Sequence, residues 1–104
     1  MYARHVTCSL KPVKREELTQ TFDREILPLL QKQNGFHEEI VFVDQDGRHV
    51  LATSLWESKE NAEAYSRETY PQVLKTLARF IEGTPQVRGY EVAFSTVHKT
   101  GATI

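Results

Sequence analysis

The sequence has little cysteine, no long apolar run and no excess of charge of either sign. Because Cys8 is the only cysteine, an internal disulfide and a metal site built from several cysteines are excluded. No apolar run approaches the roughly 18–20 residues needed to cross a bilayer, so we expect no membrane partner. The segment 1–5 is not an apolar signal sequence, so we expect a cytoplasmic protein.

Charge and length limit the partners further. The 104 residues include 13 Lys and Arg against 14 Asp and Glu, and the two signs are interspersed, as in segment 14–17. Binding to phosphates needs clustered basic residues without compensating acids, so no nucleic-acid partner is expected. The length fits a single domain, 1–104. A domain of this size buries only about 60–70% of its unfolded surface, so we expect it to share a core with a partner.

The first half of the chain predicts a strand, a helix and a hairpin. Strand-forming residues fill 2–10, and apolar residues recur at helical intervals from Lys14 onward. Pro28 should kink this helix because proline removes a backbone donor. The apolar run 40–43, a turn at 45–47 and an antiparallel partner at 48–56 predict the hairpin.

The second half predicts two helices and a last strand. Ser58 is a plausible N-cap for the first of these helices, and Pro71 begins the second. An apolar stripe from Val73 to Ile81 should continue the second helix until Gly83 closes it. The last strand is predicted at 87–98, and the tail at 99–104 is expected to be flexible.

The resulting order, β-α-β-β-α-α-β, predicts an α+β, ferredoxin-like fold with a four-stranded antiparallel sheet and helices on one face. Side chains alternate along a strand, so Phe42, Leu51, Leu55 and Tyr90 or Val97 cannot all face the helices. Both faces of the sheet therefore carry apolar side chains. A homodimer that forms through the uncovered sheet face is the economical solution.

Several segments resemble the antibiotic biosynthesis monooxygenase family, within the dimeric α/β-barrel proteins. They are Leu10-Lys11-Pro12, Ile26-Leu27-Pro28-Leu29-Leu30 leading to Asn34-Gly35-Phe36, Leu55-Trp56-Glu57-Ser58, and Asn61-Ala62-Glu63-Ala64-Tyr65. The resemblance spans residues 2–98. It implies that two sheets pack face to face as a dimeric α/β barrel, with a ligand pocket between each sheet and its helices. It also implies a cofactor-independent monooxygenase acting on a small aromatic, quinol or anthrone-like molecule.

The family also includes haem-degrading oxygenases, but the sequence lacks a residue that these enzymes need. Those enzymes need an asparagine on the first strand, at or near His5 here, and a histidine on the second helical segment. Segment 62–78 contains no histidine, so the iron ligand is missing. The four histidines also show no i, i+3 or i, i+4 pair that would suggest another metal site. We therefore expect no metal and no cofactor.

The resemblance makes Trp56 the first candidate for the site, since a tryptophan at this motif position lines the pocket in the haem-degrading members. The alternative is an aromatic side chain that only seals the strand–helix corner. Chemistry without a cofactor needs a base that titrates near neutral pH and donors for an oxyanion. His5 and His49 are candidate bases, and Tyr65 and Tyr70 are candidate donors.

The candidate catalytic residues are His5, Trp56 and Tyr65, and the candidate substrate-binding residues are Phe22, His49, Tyr70 and Leu77. Histidines on strands are more commonly surface or interface residues, and the spacing of Tyr65 with Ala62 equally suits a core stripe. No compact acid/base constellation is visible in the sequence. The alternative function is therefore a non-catalytic dimer that binds a small apolar ligand or serves as an assembly module.

Overall fold

A computed structural model describes residues 1–97, in which helices cover one face of a single sheet. In chain order the elements are β1 (Tyr2–Leu10), α1 (Arg15–Thr21), a π-helix (Phe22–Ile26), α2 (Leu27–Gln31), β2 (Phe36–Val43), β3 (His49–Trp56), α3 (Lys59–Glu68), α4 (Tyr70–Leu77) and β4 (Ile81–Glu91). The strands lie in the order β2-β3-β1-β4, and every neighbouring pair is antiparallel. The predicted element order and the ferredoxin-like α+β class are confirmed.

The long helix predicted after Lys14 is interrupted, as Pro28 indicated. Pro28 occupies the first turn of α2, where its missing N–H costs little. The turn immediately before it is the π-helix, a wider turn that interrupts α-helical bonding. Leu18, Ile26 and Leu30 are each 1% exposed, so the apolar stripe still faces the core across the interruption.

The hairpin and the N-cap are also confirmed. Gly47 adopts a φ of 73° in the turn, a left-handed conformation that favours glycine. The Asp44 side chain accepts hydrogen bonds from the backbone N–H groups of Arg48 and His49, both at 3.0 Å. At the start of α3, Ser58 Oγ accepts a hydrogen bond from the backbone N–H of Asn61 at 3.2 Å.

The prediction for the end of the last helix is wrong. α4 ends at Leu77, and the backbone turns there, with the N–H of Phe80 donating to the Leu77 carbonyl at 2.9 Å. Gly83 therefore lies inside β4, with a φ of 72°, and closes no helix. The position of Phe80 in the sequence fits the apolar stripe of α4, but Phe80 lies in the turn after α4. Its side chain is 2% exposed and packs from there on the core that Leu77 also contacts.

The last strand consequently lies earlier than predicted. β4 begins at Ile81, which pairs with Leu10, and ends at Glu91, which pairs with Tyr2. The predicted end of this strand at His98 and the tail 99–104 lie outside the described residues. Within residues 1–97, no helix has the length and apolar character that a membrane span requires.

The sheet has apolar side chains on both faces, as the alternation argument predicted. One face packs against the helices and holds the core, including Trp56 of β3 and Val50 at the opposite end of the same strand. The other face has no helix on it and displays exposed apolar side chains. Among them, Ile40 is 37% exposed, Tyr90 48% and Phe42 51%.

Candidate active site

An irregularity in β2 decides which acidic side chain faces the helices. Phe36 pairs with Trp56, but the next paired residue, Glu38, lies opposite Leu55, so the strand contains one extra residue at His37. Such a bulge reverses the alternation that follows it. As a result Glu39 points to the helix-covered face, and Glu38 points to the uncovered one.

Glu39 stands in a polar row that crosses the sheet under the helices. Glu39 pairs with Ser54 of β3, and Ser54 pairs with Arg4 of β1. Ser54 is 4% exposed and its hydroxyl accepts a hydrogen bond from Nε1 of Trp56 at 2.8 Å. Ser54 therefore lies between the carboxyl group of Glu39 on one side and the guanidinium cation of Arg4 on the other. They are roughly 10 Å apart along the hydrogen-bonding direction.

Arg4 is held tightly at its end of the row. It is 5% exposed, and its Nε donates to the hydroxyl of Ser66 on α3 at 2.8 Å. Its guanidinium carbon lies 4.0 Å from the ring centroid of Tyr70 and 5.2 Å from that of Tyr65. Cation–π contacts with two tyrosines thus stabilise a charge that makes no direct ion pair among the described residues.

A pocket of about 240 Å³ opens at the Glu39 end of the row, between β2 and the interrupted helix. α1, the π-helix and α2 form its outer wall, and two helix-facing residues of β2 form its floor. Its lining is mostly apolar and consists of Thr19, Phe22, Asp23, Leu27, Leu30, Glu39 and Val41. Phe22 is thus the one residue from the sequence-based candidates that lines this pocket.

The pocket perturbs the acid–base behaviour of Glu39. Its burial raises the pKa of the carboxyl to about 8, and the positive charge of Arg4 offsets part of that rise. A carboxyl with a pKa near 8 populates both protonation states close to neutral pH. Such a group can accept a proton from a bound molecule and return it, which is what a general base or acid requires.

Tyr65 and Tyr70 remain protonated, because burial raises the pKa of both phenols and the charge of Arg4 only partly opposes the rise. Tyr65 is 4% exposed and belongs to the core. The Tyr70 hydroxyl is shielded from solvent, and within residues 1–97 no group bonds to it in good geometry, although Arg4 lies over its ring. Both tyrosines therefore surround Arg4 and not the pocket.

Trp56 is sealed in the core behind the pocket. It has no exposed surface, and its ring centroid lies 5.0 Å from that of Tyr65 and 5.6 Å from that of Phe36. Leu30 joins the two features, since it packs in the Trp56 cluster and also lines the pocket. Leu77 packs against the core and does not reach the pocket.

Neither candidate histidine lies at the pocket. His5 follows Arg4 on β1, so its side chain points to the uncovered face, where its ring centroid is 5.0 Å from that of Tyr90. His49 is exposed at the start of β3, with Nδ1 2.8 Å from Oδ2 of Asp44. The structure therefore does not bring either ring together with Trp56 or Glu39.

One group of residues in the described part of the chain has the spacing of metal ligands. Ligand atoms of Asp44, Asp46 and His49 lie within 4.8 Å of one another, and all three residues are exposed. Their carboxylates already accept hydrogen bonds from the backbone of the hairpin, at Arg48 and His49. These bonds account for the cluster as part of the turn.

Sequence reasoning missed the two charged residues of the row, Arg4 and Glu39. The available signal was a charge placed among strand residues that otherwise suit a buried face. Arg4 alternates with Tyr2 and Val6 along the first strand, and this pattern would have indicated that its charge lies on a buried face. For Glu39 the signal was ambiguous, because Glu38 stands beside it and only the bulge distinguishes them.

Comparison with solved structures supports the fold over nearly the whole chain. The monooxygenase of Streptomyces coelicolor from the gene ActVA-Orf6, in complex with nanaomycin D, matches with a TM-score of 0.71 and 17% identity, covering 94% of this chain and 92% of that one. SnoaB, a cofactor-independent oxygenase of Streptomyces nogalater, matches with a TM-score of 0.68 and 13% identity, covering 93% and 98%.

A third similar structure is NE2512 of Nitrosomonas europaea, with a TM-score of 0.71, 15% identity and 95% coverage of both chains. A search among curated proteins finds no significant match. The family model for antibiotic biosynthesis monooxygenases matches residues 1–77, which is most of the chain. The protein therefore belongs to the antibiotic biosynthesis monooxygenase family.

Proposed function

We propose that this protein is a cofactor-independent monooxygenase that acts on a small aromatic molecule of the phenol, quinol or anthrone type, with Glu39 as its base. One observation carries the proposal. The carboxyl group of Glu39 lies in a mostly apolar pocket, and its burial there raises its pKa to about 8. Membership of the family and likeness to oxygenase structures support the reaction class.

The reaction needs no external reductant because the substrate supplies the electrons. Glu39 in its carboxylate form removes a proton from the bound molecule, and the resulting anion passes an electron to dioxygen. For an anthrone-type CH₂ group, one oxygen atom becomes the new C=O. The other leaves as water with the two hydrogens of that carbon. The apolar wall shields one side of the anion from water, and Leu30 connects that wall to the Trp56 cluster.

We also propose that the working unit is a homodimer formed through the uncovered sheet face, as in a dimeric α/β barrel. Ile40, Phe42 and Tyr90 expose apolar surface there, and no helix covers it among the described residues. A second copy would bury this surface on both chains at once. Light scattering should give two chains per particle at micromolar concentration, and a single chain per particle would contradict the proposal.

A non-catalytic ligand-binding role is the second candidate, and a specific observation favours it. Thr19, the one hydroxyl residue among the described side chains that line the pocket, already donates to the Glu16 carbonyl at 3.1 Å. Among the described side chains of the lining, no hydroxyl is thus left to donate to an oxyanion. A protein of this kind would bind an aromatic molecule without turning it over.

Oxygen uptake separates the two candidates. Purified protein is mixed with a panel of phenols, quinols and anthrones under air, alongside Glu39→Gln and the control Glu38→Gln. We expect uptake above the autoxidation rate for wild type and Glu38→Gln, and a fall of about 10²-fold or more for Glu39→Gln. Uptake at the autoxidation rate for every compound, or equal uptake by the two variants, would refute the proposed function.

A further inference from the structure

Trp56 is sealed in the core, but the one polar atom of its ring contacts the residue beside Glu39. The indole Nε1–H donates to the hydroxyl of Ser54 at 2.8 Å. Ser54 in turn pairs with Glu39 across β3 and β2, on the helix-covered face. A single hydroxyl group therefore separates the tryptophan of the sequence motif from the strand position of the proposed base.

The hydroxyl of Ser54 has no good acceptor for its own proton. An indole N–H can only donate, so the Ser54 oxygen is the acceptor in the bond with Trp56 and its proton is left for another partner. Among the described residues, that partner is the backbone carbonyl of Arg4 at 3.5 Å. This distance lies beyond the usual range of about 2.5–3.0 Å for a bond between hydroxyl and oxygen. Ser54 is 4% exposed, so solvent has little access to the hydroxyl.

The carboxyl of Glu39 is the acceptor that the polar row provides. Residues directly opposite each other on one face of a sheet have Cβ atoms about 4.5–5.5 Å apart, which a glutamate side chain can span. The charge of Glu39 interacts with Tyr65 of α3 and with Arg4, which lies beyond Ser54 in the row. The carboxyl therefore faces the row as well as the pocket.

The ionisable groups around Glu39 leave its carboxylate form without a donor. Asp23 of the π-helix lines the same pocket and is itself an acid. Arg4 acts on Glu39 through its charge, while its Nε donates to Ser66. Burial and the charge of Arg4 account for the shifted pKa of Glu39, and no hydrogen bond from the described residues contributes to it. An ionised carboxyl here needs a donor, and the hydroxyl opposite it has a proton in poor use.

We infer that Ser54 is a positioning residue for the base Glu39. When the carboxyl ionises, the Ser54 hydroxyl turns away from the backbone carbonyl of Arg4 and donates to the carboxylate. Trp56 holds the hydroxyl oxygen through Nε1–H in both states, and hydrogen bonds in such a chain strengthen one another. The inference rests on the proposed function for the role of Glu39 as a base, but its tests need no turnover.

The indole resonance of Trp56 reports the change, because the chain has a single tryptophan. In proton–nitrogen correlation spectra of the full chain, recorded from mildly acidic to alkaline pH, we expect the Nε1–H resonance to move with a midpoint at about 8, the pKa of Glu39. The movement should persist in Glu38→Gln and disappear in Glu39→Gln. An indole resonance that does not move, or that still moves in Glu39→Gln, would overturn the inference.

Variants of Ser54 separate a donated hydrogen bond from an effect of charge through space. Titration of the Glu39 carboxyl by carbon-13 NMR should show a pKa about one unit higher in Ser54→Ala, a tenfold change in the ionisation constant, because the carboxylate loses its donor. Ser54→Thr keeps a hydroxyl and should titrate as the wild type does. The control Thr53→Val removes a hydroxyl that is 8% exposed on the other face of β3. An unchanged pKa in Ser54→Ala, or an equal rise in Thr53→Val, would contradict the role of Ser54.

Thermal denaturation checks that these variants are folded. If a Ser54 variant is unfolded, the indole titration of the wild type and Glu39→Gln decides the question alone. The results for Ser54 and for the reaction are distinguishable. A raised pKa in Ser54→Ala without oxygen uptake by any compound would refute the proposed function and leave the positioning role standing. Oxygen uptake that depends on Glu39, with the same pH dependence in wild type and Ser54→Ala, would leave the function standing and refute the positioning role.

Discussion

Replacing Glu39 with glutamine should make the protein more stable at neutral pH, because burial in the folded state opposes the ionisation of the native carboxyl. Its pKa rises from 4.5 to about 8 on folding. Below pH 4.5 both states hold the proton, and the shift costs nothing. From pH 4.5 upward the unfolded state releases the proton while the folded state keeps it, so the free energy of unfolding falls until about pH 8 and is level above it.

The size of this effect follows from the shift. One pKa unit corresponds to about 1.4 kcal/mol, so the cost reaches at most about 3 kcal/mol at pH 7 and about 5 kcal/mol above pH 8. Glu39 is only partly buried, which places the measured value below these limits. Glutamine keeps the shape of the side chain and cannot ionise, so the variant escapes the cost.

Urea denaturation of wild type, Glu39→Gln and the control Glu38→Gln at intervals from pH 4 to 9 measures the difference. The advantage of Glu39→Gln over wild type should be absent near pH 4 and should grow as the pH rises. Glu38→Gln removes the neighbouring carboxyl, which faces the other side of the sheet, and should not reproduce the gain in stability with rising pH. An advantage for Glu39→Gln that is independent of pH would refute the assignment of a raised pKa to this carboxyl.

Three further substitutions probe the surroundings of the site. Arg4→Met should raise the pKa of Glu39 further, because the positive charge that lowers it is removed, and the rising limb of any pH–rate profile should move to higher pH. Leu30→Ala should lower the free energy of unfolding by about 2–5 kcal/mol, measured in urea, because a side chain 1% exposed leaves a cavity. Ser58→Ala should cost about 1 kcal/mol in the same assay, because the N-cap bond to Asn61 is lost. An unchanged pH profile or unchanged denaturation midpoints would contradict these interpretations.

The order of the elements was predictable from the sequence because hydrophobic period and turn residues agree along most of the chain. The period fails at Phe80 and Ile81. Their spacing continues the stripe of α4, yet the backbone turns after Leu77 and both residues reach the core from non-helical positions. Spacing reports which side chains are buried, and two different backbones can bury the same side chains.

The candidate site was less predictable than the fold. The motif around Trp56 led to the core between sheet and helices, where the tryptophan is fully buried. It did not lead to the pocket, which lies one strand away at the edge of the sheet. Histidine was favoured as a base because its ordinary pKa is near neutral. In the structure, burial raises the pKa of the Glu39 carboxyl into the same near-neutral range. The burial of one residue in a pocket cannot be read from its type alone.

Two local departures from regular geometry and a position at the sheet edge meet at Glu39. A bulge in β2 turns this residue and not Glu38 toward the helices, and the π-helix at 22–26 provides the wall opposite. The strand is also at the sheet edge, where no further strand closes the opening. Together they place a carboxyl in an apolar pocket, where burial opposes its ionisation. Because sequences tend to violate regular patterns where function requires it, this convergence favours the Glu39 pocket over the histidines as the site of chemistry.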